Sequence, residues 1–301
     1  MRIGIDLGGS KIEVALLSPG GDVLYRRRSA TPRSYRAVLE ALVPLVRQAA
    51  REAGETCSVG LGIPGTISPA TGLVKNANST WLNGKPLAQD LAEMLGQEVR
   101  VANDANCFAL SEAVDGAGAG AGSVFGAILG TGVGGGLVID GNPHVGANAI
   151  AGEWGHNPLP WPAPDESPGP PCWCGRQGCI ETFLSGPGLT RDHAARTSRN
   201  LEPEDLVARA AAGDTECEFG LARYEDRLAR ALAHMINIVD PEIVVLGGGM
   251  SNIGRLYDNV TAIWDRWIFS DRVDTRLVAP KHGDSSGVRG AAWLWPADIR
   301  P

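Results

Sequence analysis

The feature that most constrains this chain is a plan it carries twice: an apolar strand, a glycine turn and a second apolar strand. The first copy joins Ile3–Leu7 to Ile12–Leu17 through Gly8 and Gly9, and the second joins Val124–Leu129 to Gly136–Ile139 through Gly130-Thr131-Gly132-Val133-Gly134-Gly135. The second run matches G-x-G-x-x-G, but a dinucleotide fold needs a helix after the glycines. Here Leu137-Val138-Ile139 and the turn Asp140-Gly141-Asn142-Pro143 continue as strand and hairpin. P-loop spacing is also missing. Two such hairpins instead suit two domains of related design, each offering backbone N–H groups to a phosphate.

Around the hairpins the periodicity switches between strand and helix, which predicts an α/β fold. Val23–Arg28 completes a three-stranded meander. Behind Ser34 as N-cap, Val38, Leu42, Leu45, Val46 and Ala49 recur at helical spacing up to Ala53, and Pro44 is expected to bend or interrupt that helix. Ser58–Ile63 and Val99–Ala102 read as strands, Leu87–Leu95 and Asp104–Val114 as helices. The glycine–alanine tract Gly116–Gly122 packs no core and marks a domain boundary. Beyond it, Ser185–Arg196, Pro203–Ala212 and Glu216–Val239 read as helices, Ile243–Leu246 as a buried strand leading into Gly247-Gly248-Gly249, and Val288–Trp295 as a last helix. The prolines between Trp161 and Pro171 predict an exposed loop.

Several residue sets point to chemistry. His156, Cys172, Cys174 and Cys179 supply one imidazole and three potential thiolates, a closed tetrahedral set for a structural Zn²⁺. The turn Asp6-Leu7-Gly8-Gly9-Ser10-Lys11 suits a phosphate, with Asp6 able to hold a hydrated Mg²⁺, and suits an ordinary hairpin equally well. Together with Gly130, Thr131, Gly132 and Gly134 it would clamp the phosphates of a nucleotide, with adenosine near Gly247, Gly248 and Gly249. Asp104 opens a helix after Asn103 and reads either as a cap or as a base in a cleft. Glu153 and Glu181 flank the metal ligands, where they would bind sugar hydroxyls or serve only as surface charges.

The totals exclude some functions. A formal charge of -7 carries no basic footprint for nucleic acid. No apolar run approaches the roughly 20 residues that cross a bilayer, and the first residues read as a strand rather than an export signal, so a cytoplasmic protein is expected. Six cysteines fit that compartment as thiols or metal ligands.

Taken in order, Asp6–Lys11, Gly62-Ile63-Pro64-Gly65, Asn103-Asp104-Ala105-Asn106, Gly130–Gly136, Gly152-Glu153-Trp154-Gly155-His156, Cys172–Glu181 and Gly247-Gly248-Gly249 resemble the ROK family of sugar kinases and repressors along the whole chain. The resemblance implies a two-domain actin-like ATPase (ribonuclease H-like) fold with an interdomain cleft. It implies ATP and Mg²⁺ as cofactors, Asp104 as general base, and Gly65, Asn78, Asn103, Glu153, His156 and Glu181 as sugar contacts, with His156 also on the zinc. It further implies that the last helix folds back onto the first domain, giving domains of 1–115 plus 288–301 and 123–287, and that the protein is a homodimer. Within the family, Lys75–Gly84, Asn157–Trp161 and Lys281–Gly287 look most like fructokinases that also accept mannose, with N-acetylglucosamine kinase and glucokinase as alternatives. A sugar-responsive repressor is the alternative from another class, and the first motif leaves no room ahead of it for a helix-turn-helix.

Overall fold

The structure, a computed structural model, describes residues 1–283 and 286–296. Asp284 and Ser285 of the Lys281–Gly287 motif, and the 297–301 end of the expected first domain, lie outside the described residues. The chain forms two compact units, one of Met1–Gly120, Gly136–Ala151 and Lys281 onward, the other of Ala121–Gly135 and Gly152–Pro280. It leaves the first unit inside the glycine–alanine tract, and the Gly136–Ala151 segment, which the sequence pattern assigns to the later domain, belongs to the first unit.

In chain order the first unit contains β1 (Arg2–Leu7), β2 (Lys11–Leu17), β3 (Val23–Ala30), α1 (Tyr35–Ala53), β4 (Ser58–Ile63), the short pair β5 (Thr66–Ile67) and β6 (Val74–Lys75), α2 (Leu87–Leu95), β7 (Val99–Asn103) and α3 (Asp104–Val114). Its sheet runs β3-β2-β1-β4-β7. The β1–β2 and β2–β3 pairs are antiparallel, as tight turns allow, and β4 and β7 are parallel to β1. Ile3, Ile5, Val14, Leu42, Val59 and Leu61 close the core without measurable exposure. Ser34 caps α1, its Oγ accepting from Ala37 N at 3.4 Å. Of the two effects expected of Pro44, interruption does not occur: α1 runs unbroken to Ala53 with Pro44 on its exposed face. On that face, water can satisfy the carbonyl that the missing N–H leaves free.

The chain continues through β8 (Ser123–Leu129), β9 (Val133–Ile139), β10 (Asn142–Pro143), α4 (Ile180–Leu184), α5 (Gly186–Thr197), α6 (Pro203–Ala211), α7 (Thr215–Val239), β11 (Ile243–Gly247), α8 (Arg255–Thr261) and β12 (Arg276–Val278). The second sheet is ordered β10-β9-β8-β11-β12, with β11 parallel to both β8 and β12. β9 starts at Val133, inside the glycine run, rather than at Gly136. Phe125, Trp154, Phe183, Tyr224, Leu228 and Leu246 anchor this unit's core.

The proline-rich segment departs from expectation. It is not simply an exposed loop, because Glu166 in its 3₁₀ turn is only 5% exposed. Its carboxylate accepts from Arg227 Nε at 2.7 Å and pairs with Arg230 Nη1 at 2.9 Å, both from α7. Two arginines buried on one helix need a carboxylate to neutralise them, and the loop supplies it.

The last helix, α9 (Ser286–Trp293), belongs to the first unit. A Cβ on Gly4 of β1 would stand 1.9 Å from Val288 O, one on Gly60 of β4 1.8 Å from Ala291 O, and one on Gly290 1.6 Å from Cys107 O of α3. Three glycines thus let the backbone of α9 lie directly against two strands and a helix.

Candidate functional site

The second unit gathers His156, Cys172, Cys174 and Cys179 so that their ligand atoms all lie within 4.8 Å of one another. Cys172 Sγ is 3.6 Å from His156 Nδ1, and Cys174 Sγ is 3.6 Å from Cys179 Sγ. Ligands at ordinary Zn–S and Zn–N distances stand about 3.6–3.8 Å apart in a tetrahedron, so the set fits that ion. All three cysteines are free thiols. Burial, and then the two neighbouring thiols, push the Cys179 thiol well above its ordinary range.

This cluster is stitched to the glycine loop. Trp154, fully buried, donates its indole N–H to Gly134 O at 2.7 Å. A Cβ on Gly155 would lie 2.1 Å from Val133 O, and one on Gly135 2.8 Å from Gly152 O. Glu181, at the start of α4, receives Val133 N–H on Oε2 at 3.0 Å and Trp173 Nε1–H on Oε1 at 2.7 Å, while its own N–H donates to Gly155 O at 2.9 Å. A Cβ on Gly132 would meet Glu181 Oε2 at 2.7 Å, so this glycine makes room for a carboxylate. Glu153, next to Trp154, is exposed. Metal ligands, candidate sugar carboxylates and candidate phosphate loop therefore form one backbone-welded block.

Beside this block lies a cavity of about 620 Å³, lined among others by Gly130, Thr131, Gly186, Val207, Gly249 and Ile253. It brings the glycine loop and the Gly247–Gly249 triplet together within one unit. Gly248 has a left-handed backbone (φ 77°) and a Cβ there would sit 2.4 Å from Leu129 O, so the fold itself requires that glycine. A Cβ on Gly249 would have nothing within 4 Å, so no contact of the fold requires this glycine. Gly186 and Val207, on α5 and α6, carry no signal legible in the sequence. Their place in the wall depends on how two helices pack.

The first unit holds the other set. Gly8 N–H donates to Lys11 O at 2.9 Å, closing the β1–β2 turn, while Gly9 and Ser10 are exposed. Neither Gly8 nor Gly9 has a left-handed backbone, and a Cβ on Gly9 would make only an ordinary contact, 3.6 Å from Ser79 Oγ. Burial, followed by the charge of Glu13, pushes the Asp6 carboxyl up to about 6. At the end of β7, Asn103 is the N-cap of α3, its Oδ1 accepting from Ala105 N at 2.9 Å and its Nδ2 donating to Gly65 O at 3.0 Å. Gly65 (φ 100°) lies so close to Lys75 O, 2.6 Å from a Cβ, that no side chain fits. The cap role thus falls to Asn103. Asp104 is the exposed first residue of the helix, its Oδ1 2.9 Å from Ala105 N. Asn78 is exposed beside the buried Ser79.

Two compact units and two mixed sheets, each sheet with a glycine hairpin, define the two-domain actin-like ATPase fold. The ROK family model matches residues 2–298, and the chain belongs to the ROK family of sugar kinases. It is 40% identical over 299 residues to the N-acetyl-D-glucosamine kinase of Erwinia tasmaniensis, covering 98% of this chain and 99% of that protein. Among solved structures it resembles a ROK hexokinase from Thermus thermophilus (TM-score 0.86, 31% identity, 97% of this chain and 96% of the other). It also resembles a ROK family glucokinase from Streptomyces griseus in complex with glucose and AMPPNP (TM-score 0.78, 29% identity, 97% and 98%). Among the described residues no helix is long and apolar enough to cross a membrane.

Proposed function

We propose that this protein transfers the γ-phosphoryl group of ATP to N-acetyl-D-glucosamine. Support for phosphoryl transfer comes chiefly from the cavity that joins the bare glycines Gly130 and Gly249 in one unit. Support for the sugar comes from the 40% identity, over nearly the whole length, to a kinase of that sugar. In this reading Asp104 takes the proton of a sugar hydroxyl as its oxygen bonds to the γ-phosphorus and the bond to the bridging oxygen breaks, releasing ADP. Gly65, Asn78, Asn103, Glu153, His156 and Glu181 are the proposed sugar contacts. The turns Asp6–Lys11 and Gly130–Gly134 hold the phosphates, and Gly247–Gly249 the adenosine. Mg²⁺, when bound near Asp6, would neutralise phosphate charge. Zn²⁺ on His156, Cys172, Cys174 and Cys179 is structural, since four protein ligands leave no open position.

Fructose is the second reading, favoured by the Lys75–Gly84 and Asn157–Trp161 motifs. ATP turnover by the purified protein on N-acetylglucosamine, glucose, fructose, mannose and N-acetylmannosamine separates the two. The highest kcat/KM is expected on N-acetylglucosamine. Best turnover on fructose would replace the sugar and keep the kinase, while silence on every sugar would remove both. A homodimer is the assembly we propose, to be checked by light scattering.

A further inference from the structure

Trp173 is not explained by packing. It lies between the metal ligands Cys172 and Cys174 with 69% of its surface exposed, and burial therefore contributes little to its retention. Yet it makes two directed contacts. Its Nε1–H donates to Glu181 Oε1 at 2.7 Å, and its ring meets the His156 ring edge to face, with centroids 4.9 Å apart and planes at 84°. Both partners are residues assigned above to the sugar.

The hydrogen bond has a stereochemical consequence. A carboxylate oxygen has two acceptor positions. Trp173 fills one on Oε1 and Val133 N–H, at 3.0 Å, fills one on Oε2. With one donor on each oxygen the carboxylate plane is held from both sides, and each oxygen keeps one position for a hydroxyl. Two neighbouring hydroxyls of a pyranose match such a pair. Val133 can supply its half of the hold because Gly132 leaves the space that a Cβ, 2.7 Å from Oε2, would occupy. Without the indole N–H, Val133 N–H is the donor that remains on the Glu181 carboxylate among the described residues, and the group can rotate about its terminal torsion, which is broad in carboxylates.

We propose that Trp173 is a positioning residue for the sugar: its indole N–H, with Val133 N–H, orients the Glu181 carboxylate to receive a pair of sugar hydroxyls. The proposal rests on the sugar-kinase reading, and its geometry lies wholly within the second unit. Trp173→Phe keeps an aromatic ring against His156 and removes the donor.

The test uses the full, metal-loaded chain. Trp173→Phe should raise the KM for the sugar about tenfold, as expected for a lost hydrogen bond to a charged group, with kcat and the KM for ATP within about twofold. Metal content should stay equal to that of the unmutated protein. In a Glu181→Gln background, the same substitution should add almost nothing, because the group it orients has already been altered. Hydrogen exchange at the Val133 amide should become faster in Trp173→Phe, since a carboxylate that swings spends less time accepting from it. That readout needs no sugar, so it decides the hold on Glu181 even if the protein turns over none of the sugars offered and the kinase reading fails. An unchanged sugar KM, an effect fully additive with Glu181→Gln, unchanged Val133 exchange, or a KM change accompanied by metal loss would each overturn the proposal.

Discussion

At the residue scale, the glycines separate into those the fold demands and those it does not. Gly65, Gly155 and Gly248 have backbone atoms 2.6, 2.1 and 2.4 Å from where a Cβ would stand, whereas Gly249 has open space. Gly249→Ala should therefore leave thermal stability unchanged within about 1 kcal/mol while raising the KM for ATP several-fold, because only a bound nucleotide would meet the new methyl group. A lower melting temperature with unchanged KM would show that the glycine is structural after all. Asp104 is a sharper case. With Asn103 serving as the cap, Asp104→Asn should cost the helix little, and kcat should fall by about 10²–10⁴, the usual share of a general base, with sugar binding by calorimetry nearly unaltered. Retained turnover would sink the base assignment. The sequence could not say whether Asp104 is a helix cap or a base; in the structure Asn103 stands at the N-cap, accepting from Ala105 N–H and donating to Gly65 O.

At the element scale, the segment that leads into the metal cluster is anchored from two directions. On one side stand the four candidate zinc ligands, and on the other Glu166 between Arg227 and Arg230. Burial alone would raise the Glu166 carboxyl, but hydrogen bonds from Arg230, Arg227 and Ala163 N–H overcome it and bring the group down to about 2. A depressed carboxylate stabilises the fold fully above its unfolded value of 4.5, and that contribution is lost as pH falls from there toward about 2. Glu166→Gln should cost about 3–5 kcal/mol at neutral pH, since it strands two buried guanidinium groups, and the variant's stability should change less than the parent's between those pH values. Chemical denaturation at several pH values measures both. The same element shows why a proline count predicts an exposed loop and misses a buried anchor: prolines report backbone shape, while burial depends on the partners α7 brings.

At the scale of the whole molecule, the welded block in the second unit would make a metal held by the cysteine cluster more than a local staple. Gly155, Glu181 and Trp154 fasten the segments flanking the cysteine cluster to Val133 and Gly134 of the glycine loop. Removing metal with a strong chelator should lower the melting temperature and also speed hydrogen exchange at Val133, with one zinc per chain recovered by elemental analysis. Stability and exchange that do not respond to chelation would leave the cysteines as plain reduced thiols. Local patterns in the sequence determined the strand–glycine–strand plan twice over, the alternation of helix and strand, and the choice of His156, Cys172, Cys174 and Cys179 as candidate ligands, because each depends on residues near one another in the chain. Tertiary structure alone decided that α9 rests on Gly4 and Gly60, that Gly186 and Val207 wall the cavity, and that Trp173 and Val133 share the Glu181 carboxylate. Most of those relations join segments far apart in the chain, and no spacing rule along it reaches across such gaps.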